Sequence, residues 1–224
     1  MKIAVYRLFS PYCLLCQSEL TIKERDLCHY CLNLLPDHPR CLCCGLPLPS
    51  NQEKCGECLR SPPLWQKLSC IGDYTFPLDK LIQQFKYQKQ FILAPSLAEL
   101  LIPWIQEKPQ ALLPVPMHWQ RQLLRGFNQS ELLTLEIGKR INRPTLCHHL
   151  IRARKTTPQQ GLSSKERRKN LHQAFELVKE INYQHIAIID DVVTTGTTIN
   201  EMINLLKNKG IARIDVICLC RTAK

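Results

Sequence analysis

Four Cys-x-x-Cys pairs stand within the first 58 residues: Cys13/Cys16, Cys28/Cys31, Cys41/Cys44 and Cys55/Cys58. No other feature constrains the fold of this chain as strongly. Each pair offers two sulfurs to one ion, and Zn²⁺ takes four thiolates in a tetrahedron. Eight sulfurs predict two structural zinc sites with no open ligand position. The sequential pairing is Cys13, Cys16, Cys28, Cys31 and then Cys41, Cys44, Cys55, Cys58; an interleaved pairing satisfies the same count. A disulfide framework belongs to secreted chains. The apolar run Ile3-Ala4-Val5-Tyr6 before Arg7 is too short for a signal-peptide core, so a cytoplasmic chain with reduced thiols is expected. Redox chemistry at a CxxC is the competing reading, but no βαβ pattern surrounds any pair.

The cysteine pattern ends at Cys58, and Ser61-Pro62-Pro63 punctuates the chain. The expected division is a zinc-binding module over residues 1–64 and a second domain over 65–224. The head carries seven Lys/Arg and six Asp/Glu, and this near-neutrality argues against direct DNA binding by the head. The whole chain is basic, with 30 Lys+Arg against 19 Asp+Glu and a net charge of +11, which permits polyanionic partners without identifying one. No run approaches the roughly 20 apolar residues of a membrane span. Cys43, Cys70, Cys147, Cys218 and Cys220 are left over and read as small apolar residues or free thiols.

The second domain reads as α/β. Strands are expected at Ser69–Phe76, Ala111–Val115, His185–Ile189 and Ile211–Leu219. Helical spacing marks Leu78–Tyr87, Gln129–Arg140 and Thr197–Lys207, and also Ser96–Gln106, which Pro103 interrupts. Strands alternating with helices imply a parallel sheet covered on both faces, with ligands bound beyond the carboxyl ends of the strands. The loops after Val115 and Ile189 are the places to look.

The sharper of the two is Ile189-Asp190-Asp191-Val192-Val193-Thr194-Thr195-Gly196-Thr197-Thr198. An apolar strand runs into two acids, and a Thr/Gly loop then opens a helix. A helix N-terminus with a glycine that lets the backbone approach closely suits a phosphate. The hydroxyls of Thr194, Thr195, Thr197 and Thr198 add donors around Gly196. Two carboxylates repel phosphate but suit sugar hydroxyls or a metal shell beside it. A P-loop would need a lysine that this loop lacks.

This segment resembles the signature of type I phosphoribosyltransferases that binds 5-phosphoribosyl-1-pyrophosphate (PRPP). The resemblance implies that Asp190 and Asp191 take the ribose hydroxyls and that Thr194–Thr198 hold the 5′-phosphate. Four features in order resemble the ComF/GntX family of bacterial competence-associated proteins. They are the Cys-rich head, Pro114-Val115-Pro116, Arg125-Gly126-Phe127-Asn128-Gln129 and the acidic Thr/Gly loop. Cys218-Leu219-Cys220-Arg221 extends the match almost to the end. The family implies a type I phosphoribosyltransferase-like parallel sheet behind a zinc head, Mg²⁺ with PRPP as ligand, and a link to DNA uptake or utilisation. It also implies the loop after Val115 as a pyrophosphate site, with Arg121, Arg125 and the Gly126 backbone as donors. Capping is the plain reading of Asn128 and Gln129; Lys86 either reaches pyrophosphate or is a solvated helix end, the second being the favoured reading.

Residues 139–172 hold ten Lys/Arg and one acid, Glu166. Three readings stay open: a lid that closes over the site, a groove tracking a nucleic-acid backbone, and a solvated charged surface. Arg152, Arg154, Lys155 and Arg167 are the candidate nucleic-acid contacts; Gln159, Arg167 and Asn170 match family positions near substrate. Two functions follow. One is PRPP-dependent transfer to a nitrogen acceptor. The other is a non-catalytic DNA-binding competence factor regulated by PRPP or nucleotide, with single-stranded DNA and a DNA-uptake helicase as partners.

Overall fold

A computed structural model of the chain describes residues 12–21, 24, 26–49, 52–87, 90–153 and 174–222. Its centre is a four-stranded, all-parallel sheet in the order β1–β6–β5–β2, with β1 at Leu68–Asp73, β2 at Ala111–Pro114, β5 at His185–Val193 and β6 at Arg213–Arg221. Ile186 to Ile189 of β5 are fully buried, as a strand covered on both faces must be. A short antiparallel pair, β3 (Leu150–Arg152) with β4 (Phe175–Leu177), lies apart from this sheet.

Helices cover both faces. On one side lie α3 (Leu78–Tyr87), α4 (Ala94–Leu101) and α6 (Gln129–Ile141). α3 buries Leu78, Leu81, Ile82 and Phe85, the stripe its spacing predicts. α4 ends at Leu101, and Pro103 falls in a single 3₁₀ turn, Ile102–Trp104, that closes the expected helix early. The other face is covered by α7 (Thr197–Lys207), which buries Ile199, Met202, Ile203 and Leu206.

The head packs against the sheet directly. Its described residues include two short helices, α1 (His29–Asn33) and α2 (Gly56–Arg60). Cys13, Leu27, Cys28 and Cys31 of the first knuckle share a core with α3 and α4. The second knuckle lies along β1: the Leu68 amide donates to the Leu42 carbonyl at 2.8 Å, and Arg40 pairs with Asp73 at 3.1 Å. Cys43, Cys70, Cys218 and Cys220 are buried apolar residues, as expected of leftover cysteines.

β5 and a short helix also differ from the sequence reading. β5 does not stop at Ile189; it carries Asp190 and Asp191 within the strand and pairs with β6 as far as Val193↔Arg221. A seven-residue helix, α5 (Trp119–Arg125), had no visible stripe because Trp119, Leu123 and Leu124 are exposed.

Candidate functional site

Two groups of four cysteines form in the head, Cys13/Cys16/Cys28/Cys31 and Cys41/Cys44/Cys55/Cys58, each with all sulfurs within 4.8 Å of one another. The sequential pairing is therefore the one the fold adopts. A tetrahedral ion with Zn–S near 2.3 Å requires sulfurs roughly 3.8 Å apart. Cys16 and Cys28 lie 3.7 Å apart, as do Cys44 and Cys55. Backbone N–H groups already point at the sulfurs: Cys28 N donates to Cys13 Sγ, Cys55 N to Cys41 Sγ and Cys58 N to Cys55 Sγ. The Ser18 hydroxyl and amide lower the Cys16 thiol to about 6, while burial raises the Cys31 thiol in the same group. Both clusters fit structural Zn²⁺ with no open position.

The carboxyl ends of the strands face a cavity of about 470 Å³. From one side, β5 supplies Asp190 and Asp191. Ser130, at the start of α6, donates from Oγ to Asp190 Oδ1 at 3.0 Å, and the Asp191 amide donates to the same oxygen at 2.9 Å. Lys86, at the end of α3, pairs with Asp191 at 2.9 Å. The sequence reading of Lys86 as a solvated helix end is corrected here. It lies four residues after Ile82, on the buried side of α3, and its side chain is only 18% exposed. Burial lowers its pKa, but Asp191 and Asp190 more than offset this, so Lys86 stays charged. Burial pushes the Asp190 carboxyl up to about 7, and the neighbouring Asp191 charge adds to the rise. Near neutral pH Asp190 is therefore balanced between its neutral and charged forms.

The loop after β5 forms the next wall. Thr194, Gly196, Thr197 and Thr198 line the cavity. Thr195 does not; its hydroxyl lies 2.7 Å from that of Thr197 and accepts from the Thr197 amide. Gly196 caps α7 with a positive φ of 74°, a conformation that favours glycine, and supplies no side chain to cover the first amides of the helix.

The loop after β2 closes the other side with Val115, Pro116 and Met117. Asn128 ties it down, donating from Nδ2 to the Val115 carbonyl at 3.1 Å while its Oδ1 caps α6 at the Ser130 amide. Arg125 reaches the cavity, lies 5.2 Å over the Tyr87 ring and donates to Gln129 Oε1 at 2.9 Å. Gly126, with φ of 88°, ends α5 and does not line the cavity, so its role is to turn the chain toward α6. Arg121 lies on α5; its side chain is outside the described residues. Arg152 of β3 also lines the cavity and packs over the Phe175 ring, so it faces the site. Arg154, Lys155, Gln159, Arg167 and Asn170 are outside the described residues. Ser130 and Lys86 complete the acid pair; sequence reasoning missed Ser130 and underrated Lys86, because neither is near Asp190 in the chain.

Comparison with known proteins agrees with this layout. Residues 148–224 match the phosphoribosyl transferase domain family, and residues 4–59 match the double zinc ribbon domain family. The chain is 38% identical over 224 residues to "Competence protein F" of Haemophilus influenzae, covering 95% of this chain and 98% of that protein. It is 36% identical over 219 residues to "DNA utilization protein YhgH" of Escherichia coli K12, covering 94% and 96%. It is 26% identical over 230 residues to "Competence protein ComFC" of Streptococcus pneumoniae, covering 93% and 99%. Among the described residues, no helix is long and apolar enough to cross a membrane.

Proposed function

The chain belongs to the family of competence protein F and DNA utilization protein YhgH, and on that premise we propose that it binds PRPP with Mg²⁺ at the carboxyl edge of its sheet and transfers the phosphoribosyl group to a nitrogen acceptor. The observation that carries this reading is a convergence. The acid pair with its Thr/Gly loop and Arg125 line one cavity, although they come from two segments far apart in the chain.

Each part suits one part of the ligand. The start of α7 and the hydroxyls of Thr194, Thr197 and Thr198 suit the 5′-phosphate. Asp190 and Asp191 suit the ribose hydroxyls as acceptors. Arg125, with a planar fork of donors, suits the pyrophosphate. Mg²⁺, when bound with the ligand, neutralises leaving-group charge. In the transfer the C1–O bond to pyrophosphate breaks, a C1–N bond forms, and the acceptor nitrogen loses its proton. The chain's residues position the ribose and stabilise the leaving group. Lys86 pairs with Asp191 and would be free to meet the pyrophosphate once ribose hydroxyls occupy the acids.

The test is pyrophosphate release from PRPP with a panel of nucleobases and small amines, run in parallel with Asp191→Asn. Acceptor-dependent release that disappears in the variant supports transfer. No release with any acceptor, despite PRPP binding, removes the transfer step and leaves a binding site.

A second reading rests on the ten Lys/Arg of residues 139–172 and on the DNA-related names of the relatives. Here a cytoplasmic competence factor holds single-stranded DNA on the basic segment, hands it to or receives it from a helicase, and uses PRPP as a regulator. Phosphate contacts make affinity fall steeply with salt. A salt-insensitive DNA affinity that survives combined neutralisation of Arg154 and Lys155 would end this reading.

A further inference from the structure

We infer that Trp65 and Arg221 are positioning residues that tie the second cysteine knuckle to the phosphate loop, so that the folded head sets the geometry of that loop. Two contacts, formed by residues from opposite ends of the chain, carry the inference. Trp65 follows the head and is 5% exposed. Its indole N–H donates to the Cys43 carbonyl at 2.6 Å, inside the turn between the ligands Cys41 and Cys44. The far edge of the same ring lies under Gly196: a β-carbon there would sit 2.6 Å from Cη2 and 2.9 Å from Cζ3 of Trp65. One rigid side chain thus joins a ligand turn to the residue that caps α7.

Arg221, at the end of β6, makes the parallel link and is 4% exposed. Its Nε donates to the Cys44 carbonyl at 3.0 Å. Its Nη1 donates to the Val193 carbonyl at 2.9 Å and to Thr222 O at 3.2 Å. Val193 is the last residue before Thr194, where the loop begins. The two links therefore hold the loop at its entry and at its glycine, and both anchor in the Cys41–Cys44 turn. The planar guanidinium matters because donors must leave it in two fixed directions, which a lysine ammonium cannot reproduce. The cysteines of the first knuckle pack instead against α3 and α4, on the opposite face.

Losing the indole N–H takes the donor from the Cys43 carbonyl, and losing the guanidinium takes the donor from the Cys44 carbonyl and leaves the Val193 carbonyl with the Thr222 amide at 3.1 Å, so either substitution should loosen the link. The reciprocity of coupled equilibria then applies: what the turn does for the loop, a ligand on the loop does for the turn. The ligand arm of this inference rests on the phosphate-loop reading above; the ligand-free arm does not.

The experiment uses the full zinc-loaded chain as Trp65→Phe and as Arg221→Lys. Trp65→Phe removes the N–H donor and the outer ring under Gly196. Arg221→Lys keeps the charge but loses the fork. In ligand-free protein, amide hydrogen exchange over residues 193–199 is expected to quicken about tenfold in each variant, while α6 keeps its protection. One zinc of the two should pass to a chelator faster than in the unsubstituted chain. With PRPP, affinity should fall about fivefold or more, and saturating PRPP should slow the release of that zinc in the unsubstituted chain. Unchanged loop exchange and zinc release in both variants would overturn the inference, whatever PRPP does. Failure of the unsubstituted chain to bind PRPP would instead overturn the ligand reading and leave the exchange data to decide the link. If Trp65→Phe fails to fold, Arg221→Lys decides alone.

Discussion

Replacing Asp190 with asparagine should stabilise the protein while removing its ligand. The carboxyl is raised from 3.8 to about 7, first by burial and then by the Asp191 charge. A raised folded pKa means that the native state holds a proton the unfolded chain has already released. The favourable contribution is then complete below about pH 4 and is lost as pH rises through 7. The difference of about 3 units, at 1.36 kcal/mol per unit, leaves the native state about 4 kcal/mol worse off above neutrality. Less than half of this has appeared at pH 5, so the gap widens by a few kcal/mol between pH 5 and pH 8. The amide oxygen introduced by the substitution would still accept from the Ser130 hydroxyl and the Asp191 amide, and Lys86 would keep Asp191 at 2.9 Å. Asp190→Asn should therefore match the parent most closely at low pH and exceed it by several kcal/mol at pH 8. Matched urea titrations at pH 5, 6.5 and 8 with saturating zinc measure the difference. A variant that is less stable at pH 8, or a gap that does not widen with pH, would refute the reasoning.

Three further outcomes follow from the geometry. Gly196→Ala must adopt a left-handed conformation and displace the Trp65 ring; together these cost about 2–4 kcal/mol, a fall of roughly 5–15 °C in melting temperature, and an unchanged Tm would contradict the close approach. Cys58→Ser should reduce bound zinc from two ions per chain to one by elemental analysis, and two retained ions would contradict Cys58 as a ligand. Asn128→Ala loses the cap of α6 and the bond to the Val115 carbonyl, and should destabilise the chain by about 1–3 kcal/mol in denaturant titration; a change near zero would mean the loop after β2 is held by something else.

The sequence made some of this legible and hid the rest for identifiable reasons. The zinc sites are written in local spacing, because each CxxC turn is a contiguous unit. The Thr/Gly loop is equally local: strand, acids, glycine and helix follow one another from Ile186 to Lys207. α7 was readable to its ends because its buried residues recur at helical intervals. α5 was not, since a helix with exposed leucines has no stripe to read. β3 and β4 have three residues each, too few for an alternation to show. Lys86 and Ser130 reach the acids only through the packing of α3 and α6 on the sheet. Arg221 was noticed as part of a terminal motif, but its partner Cys44 lies 177 residues away, and no local pattern encodes that contact.

The central claim is that the cavity at the carboxyl edge of the sheet is a PRPP site. Calorimetric titration of PRPP into the zinc-loaded chain at pH 8, with and without Mg²⁺, tests it most directly. The account predicts one site per chain, micromolar affinity that depends on Mg²⁺, and weaker binding at pH 6, where Asp190 holds its proton. No heat and no binding under either condition would contradict it.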